Sequence, residues 1–383
     1  MNKFAIRLLA SLIFLLLGFA ATASANVSVR FCFILDTDYE DYDDGDYWTE
    51  GWNHAAYGIR AKVIDNNTDD AVFDGWAGTT GLACTSYLSL NTNHTYLVRL
   101  YSKAKDDNDN IVHVFQSYSG ENLHQQTVDW EYAPTVGTTK LYTYEIINQE
   151  HETNVLAAAS FALSEHPAGL SGKNFYLHTQ IPPDENGAYM ASDGTIFLDQ
   201  TCKDAKTGTT HELGHLVGLR RNGNQGGYKN YGDTGDDNCT SLATDHRLNS
   251  REWQSAAVNE GLAHFYTTVT WNDGTENDCE FRDKDCQGGS DYQVDWLNQC
   301  NPPLGSRGNE FDWLRFWWDL HHSASISVQT IFSIWNDANP DTWSGLEYYV
   351  YKYLRNAAAA NGITNAVWDY WGGINGVDHG IWP

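Results

Sequence analysis

Basic residues are scarce in this chain. Its 383 residues carry 23 Lys and Arg against 50 Asp and Glu, a formal net charge of −27. Such a surface repels a phosphate backbone, which excludes nucleic acid as a partner, and it attracts cations instead. Methionine is nearly missing: Met1 and Met190 are the only two, so none lies beyond position 190. No two cysteines have the C-x-x-C spacing of a structural zinc ribbon. After residue 25 no apolar run is long enough to span a bilayer, so no integral membrane segment is expected in the mature chain. Internal repeats and low-complexity stretches are absent as well.

The one long apolar run stands at the start, in MNKFAIRLLASLIFLLLGFAATASA. Lys3 and Arg7 give a short positive segment, the run extends from Leu8 to about Ala21, and Ala23-Ser24-Ala25 is a small-x-small cleavage pattern. Residues 1–25 therefore read as a secretory signal peptide. Its removal takes Lys3 and Arg7 away and moves the net charge from −27 to −29. About 358 residues remain, enough for two domains with cores of their own. The expected location is secreted, either extracellular or periplasmic. Disulfides are expected there among Cys32, Cys84, Cys202, Cys239, Cys279, Cys286 and Cys300. Cys32 with Cys84 would staple the N-terminal region, and Cys202 with Cys239 would tie segments around residue 211. Spacing alone does not fix the connectivity.

The hydrophobic period divides the chain. In NVSVRFCFILDTDY, Val27, Val29, Phe31, Phe33 and Leu35 fall on one face. YGIRAKVID, HTYLVRLYSKAKD and NIVHVFQSY alternate in the same way, between clusters of Gly, Asn and Asp. This pattern predicts an antiparallel β-sandwich over residues 26–118. A polar stretch, 119–140, is the expected linker to a second domain over 141–383. There, HETNVLAAASFALSEHPAG reads as a helix, KNFYLHTQI and DGTIFLDQ as strands, and a further helix follows, with Asn222-Gly223 as its left-handed stop. EFDWLRFWWDLHH, TIFSIWND and LEYYVYKYLRNAAAA read as C-terminal helices whose aromatics are mostly core.

TGTTHELGHLVGLRRNG, Thr207 to Gly223, carries the chemistry. His211 and His215 are four residues apart, so a helix puts both imidazoles on one face, one turn apart, within reach of one metal. Glu212 is placed to take a proton from a metal-bound water. A catalytic zinc needs a third protein ligand. Arg221 occupies the place where a metzincin has its third histidine, and no downstream methionine exists for a methionine turn. A guanidinium is permanently cationic and cannot ligate zinc.

A second pattern fits. SREWQSAAVNEGLAHFYTTVTW, Ser250 to Trp271, has helical periodicity, with Ser250 as an acceptable N-cap. Its centre, Asn259-Glu260-Gly261-Leu262-Ala263, resembles the glutamate helix of gluzincin peptidases. That resemblance makes Glu260 the third ligand. A carboxylate in so apolar a helix needs a partner or a metal, and Arg251 and Arg315 are the rival partners. The order helix-strand-strand-helix resembles the upper subdomain of zincins. It implies an α+β zincin-like metallopeptidase domain with a mostly helical C-terminal part, in which substrate lies along the strand GTIFLDQ. The resemblance runs from about Leu156 to Tyr266, and the chain departs from it in two places. His264 stands where the thermolysin-like branch has an aspartate that holds the first histidine, and 44 residues separate His215 from Glu260. FDGWAGTTGLACTSYLSLNTNHTYLVRLYSKAKD resembles the close of a transthyretin-like, or prealbumin-like, sandwich.

The expected function is a secreted zinc-dependent metallopeptidase. His211, His215 and Glu260 hold one catalytic Zn2+, and Glu212 activates the bound water against the scissile bond of a peptide or protein substrate. Candidates for the oxyanion donor are His264, His321, His322, Tyr228, Tyr231 and Tyr292. Two alternatives stand beside it: a secreted binding protein or adhesin with a degenerate zincin domain, and a zinc amidase acting on cell-wall peptides. Carboxylate-rich DTDYEDYDDGDYWTE, DTGDDN and DKDCQGG suit Ca2+, although none has EF-hand spacing.

Overall fold

The protein was analysed as a computed structural model. It describes residues 25–36, 53–55, 58–78, 83–115, 127–135, 139–144, 150–181, 187–199, 206–223, 234–235, 242–243, 252–271, 280–282, 291–293, 307–343 and 349–378. A β-rich N-terminal region precedes a more helical C-terminal part.

The first sheet is centred on β1 (Asn26–Asp36). β2 (Asn53–Ala55) pairs with it, and β10 (Thr139–Tyr144) runs parallel along its other edge. Val29, Phe31, Phe33 and Leu35 are all buried, as their alternation predicts. β5 (Ala83–Cys84) and β6 (Leu88–Asn91) also pair with β1, and Cys32 faces Cys84 in register as a disulfide.

The second sheet is built on β3 (Ile59–Asp65), β4 (Asp70–Ala77) and β7 (Tyr96–Lys105). β3 and β7 alternate strictly between buried and half-exposed positions, the signature of a strand with one face on a core. β9 (Thr127–Tyr132) and β8 (Ile111–Phe115) pair with opposite ends of β7. Phe31 of β1 meets Tyr132 of β9 edge to face, with ring centroids 5.2 Å apart, so the two sheets share a core. The stretch 119–140, expected as a linker, therefore holds β9 and the start of β10.

This second sheet does not stop at the β-rich region. β11 (Asn174–His178) lies parallel to β8, β13 (Thr195–Leu198) lies parallel to β11, and β12 (Ala188–Met190) closes the edge antiparallel to β13. β13, in the strand GTIFLDQ expected to carry substrate, is thus paired on both sides, and among the described residues the sheet edge is β12 instead. α1 (Glu150–Glu165) packs against β7 and β8. α2 (Lys206–Arg221) packs on α1, β12 and β13 and ends at Gly223 with φ +70°. α3 (Gln254–Trp271) lies against α2, and α4 (Glu310–His322) lies against α3. α3 starts at Gln254 rather than after Ser250, because Glu252-Trp253 is extended and pairs with Arg307-Gly308. α5 (Val328–Asp337), α6 (Val350–Ala360) and α7 (Asn365–Asn375) complete the helical part. Trp313, Trp317, Trp335 and Trp368 of these C-terminal helices are fully buried, in keeping with a core role. Among the described residues no helix is long and apolar enough to cross a membrane.

Candidate metal centre

Two close helix–helix contacts build the site. Gly214, one residue before His215, sits against the backbone of α3: a Cβ there would lie 2.9 Å from Ala263 Cα and 3.0 Å from Ala263 O. Gly261, one residue after Glu260, sits against α4, with Glu310 O only 2.9 Å from where a Cβ would be. Glycine is what lets three helices approach this closely. Trp271 Nε1 donates to Thr210 Oγ1 at 2.9 Å and ties the end of α3 to the residue before His211. Tyr266 Oη lies 2.9 Å from His166 O, and the ring of His166 lies 2.9 Å from Val269 O through Nε2, so α3 is also fixed to the end of α1.

Across the α2–α3 contact the side chains converge. Glu260 Oε2 lies 3.0 Å from His211 Nε2 and 3.1 Å from His215 Nε2. All three residues are buried, Glu260 to 1% exposure. These donors can hold a metal ion. A tetrahedral zinc with bonds of about 2.0–2.1 Å sets its ligand atoms roughly 3.3 Å apart, and the two separations from Glu260 Oε2 lie within a few tenths of an ångström of that. Burial, joined by the neighbouring His264 and His215, depresses the His211 pKa well below the ordinary value, although Glu260 opposes this. That shift favours the neutral imidazole, the form that ligates metal. The Nδ1 atom of His215 is buried without a hydrogen-bond partner. Glu212, adjacent to His211 on α2, is buried as well.

Behind His211 stands a second layer. His264 Nδ1 lies 3.1 Å from His211 Nδ1, and His264 Nε2 lies 3.0 Å from Glu310 Oε2. His264 and Glu310 are both fully buried. His264 thus backs His211 with both ring nitrogens engaged, a geometry unsuited to the oxyanion donor considered above. Glu310 escaped sequence reasoning. A Glu at the first position of a helix ordinarily complements the helix dipole in solvent, and nothing in its spacing from residue 211 or 260 marks it as buried.

The other named residues fall elsewhere. Arg221, in the metzincin position, donates to Gly169 O at 3.1 Å and Ser333 Oγ at 2.7 Å, bracing α2 against α5. The His321 ring contacts Ile326 O through Nδ1 at 2.8 Å, and His322 stacks on Trp318. Tyr228, Tyr231, Arg251, Cys202, Cys239, Cys279, Cys286 and Cys300 lie outside the described residues, as do most of the carboxylate-rich stretches considered for Ca2+ and the leader up to Ser24. The backbone of Tyr292 lies in a short ribbon, 291–293 paired with 280–282.

No protein-family model matches this chain, and no curated protein or solved structure matches it either.

Proposed function

We propose that the chain is an exported zinc metallopeptidase of gluzincin type. The observation that carries the proposal is the meeting of His211 Nε2, His215 Nε2 and Glu260 Oε2 across α2 and α3, whose close approach Gly214 permits. Two imidazoles and one carboxylate are a donor set suited to zinc, and three protein ligands leave a fourth position open, the pattern of catalytic rather than structural sites. Zinc held by His211, His215 and Glu260 would supply a Lewis acid and make the attacking water more acidic. Glu212 then accepts the proton of the attacking water and delivers it to the leaving amine. The order α1, β11, β12, β13, α2 supports a zincin-like domain. In that arrangement an extended peptide adds to the edge of the sheet at β12. The reading of residues 1–25 as a leader and the Cys32–Cys84 disulfide support export to an oxidising compartment.

The test is hydrolysis of a peptide and protein panel by the purified mature chain, with and without a chelator, beside Glu212→Gln. Chelator-sensitive cleavage that Glu212→Gln lacks is the expected result. A zinc-replete protein that cuts nothing favours the binding-protein alternative. Release of products from purified cell wall, but not from protein, favours the amidase.

A further inference from the structure

With a metal ion on His211 Nε2, hydrogen counting orders the protons behind it. Three buried groups meet in series: Glu310 Oε2 and His264 Nε2 at 3.0 Å, then His264 Nδ1 and His211 Nδ1 at 3.1 Å. A neutral imidazole carries one N–H and one bare nitrogen. A metal on His211 Nε2 takes the lone pair of that ring and leaves its hydrogen on Nδ1. His211 Nδ1 then donates to His264 Nδ1, which accepts with its bare nitrogen, so His264 carries its own hydrogen on Nε2 and donates it to Glu310. His211 Nε2 faces Glu260 Oε2 at 3.0 Å, the side on which the metal would sit.

We propose that Glu310 and His264 are a positioning pair that fixes the tautomer of His211 and holds its Nε2 lone pair on a single metal ion. This rests on the zinc reading above and extends it one layer outward. The relay does what a directly bonded carboxylate does for other metal-bound histidines, orienting the ring and raising its basicity. Here the carboxylate sits one imidazole further back, on α4, and its charge reaches the ligand through His264. The close contact of Gly261 with Glu310 O keeps α4 near enough for this.

The same count weighs against a second ion on His264 Nε2. Glu260, His264 and Glu310 also group closely enough to hold a metal. With ions on Nε2 of both His211 and His264, both rings would carry hydrogen on Nδ1. Two N–H groups would then face each other at 3.1 Å, unless one ring became an imidazolate. A single metal on His211 Nε2 is compatible with both of these contacts.

Two measurements on the full mature chain test the pair, and neither uses hydrolysis. The first is the histidine side-chain 15N–1H spectrum of the zinc-loaded wild type. The expected pattern is Nδ1–H on His211 and Nε2–H on His264; Nδ1–H on His264 overturns the proposal. The second is zinc affinity by competition with a chelator, with metal-free melting as the folding control. His264→Phe, which removes the acceptor, should weaken zinc about 10- to 100-fold. His264→Gln, whose amide accepts on one side and donates on the other, should recover much of that loss. A His264→Phe chain that binds zinc within twofold of wild type, or two tightly held zinc ions per wild-type chain, overturns the proposal. One zinc with the expected tautomers and no peptide cleavage would sink the peptidase reading while leaving the pair standing. A wild type that takes up no zinc removes both.

Discussion

Gly214 and Ala263 meet backbone to backbone, with Ala263 Cα 2.9 Å from where a Gly214 Cβ would stand. The contact lies one residue from His215 and three from Glu260, so the spacing of α2 and α3 is also the spacing of the ligands. Gly214→Ala should improve helix propensity by about 1 kcal/mol, yet crowding a packed contact costs about 1–3 kcal/mol. The crowding should win. We expect a lower urea midpoint and weaker zinc binding together. A variant that is more stable than wild type, with unchanged zinc affinity, would show that the two helices are free to adjust.

Glu212 is the proton carrier in the proposed chemistry and is not among the ligands. Glu212→Gln should keep one zinc at wild-type affinity and lose at least about 100-fold in the rate of peptide cleavage, the usual worth of a general base. Loss of zinc in this variant would move Glu212 into the ligand set.

Buried histidines give the fold an acid-sensitive window. Burial brings His113 and His166 down from 6.5 to about 4, although hydrogen bonds to Asn174 and to Val269 O oppose the shift. The native state then refuses protons that the unfolded chain accepts between pH 6.5 and 4. The stability these groups contribute is complete above pH 6.5 and falls as pH is lowered toward 4. In urea titrations of the metal-free protein, His166→Gln should reduce the pH slope in this window by about one proton. An unchanged slope would mean that His166 titrates normally in the folded chain.

The Cys32–Cys84 disulfide joins β1 to β5 across a sequence separation of 52 residues. Closing a loop of that length in the unfolded chain corresponds to about 4 kcal/mol in the chain-entropy description. The double variant Cys32→Ser, Cys84→Ser should lose about 2–5 kcal/mol in denaturant titrations. Equal midpoints would place the β1–β5 contact outside the cooperative core.

The strands with one buried face were legible because a period of two survives any pairing: Val29, Phe31, Phe33 and Ile59, Ala61, Val63 are buried where alternation puts them. The partners of those strands were not. The parallel pairing of Arg30 to Leu35 with Thr139 to Tyr144, and of β8 with β11, joins distant segments. No local pattern specifies such a register. β12, three residues long, is too short to show a period. At the site, His211, Glu212 and His215 declare themselves by helical spacing. Glu260 was legible through its apolar surroundings and its resemblance to a known glutamate helix. His264 was visible as a residue on the same helix face, but which way its two nitrogens are spent depends on α4. Glu310 is the first residue of a helix capped by Asn309, whose Oδ1 accepts from Phe311 N at 3.0 Å. Its burial comes with the packing of α4 on α3, which the sequence does not show.

The most direct measurement is zinc content of the purified mature chain, wild type beside Glu260→Ala. We expect one zinc per wild-type chain and loss of most of it in Glu260→Ala, since removing one of three protein ligands leaves only the two histidines on α2. A Glu260→Ala chain that holds zinc as well as wild type does would contradict the account at its centre.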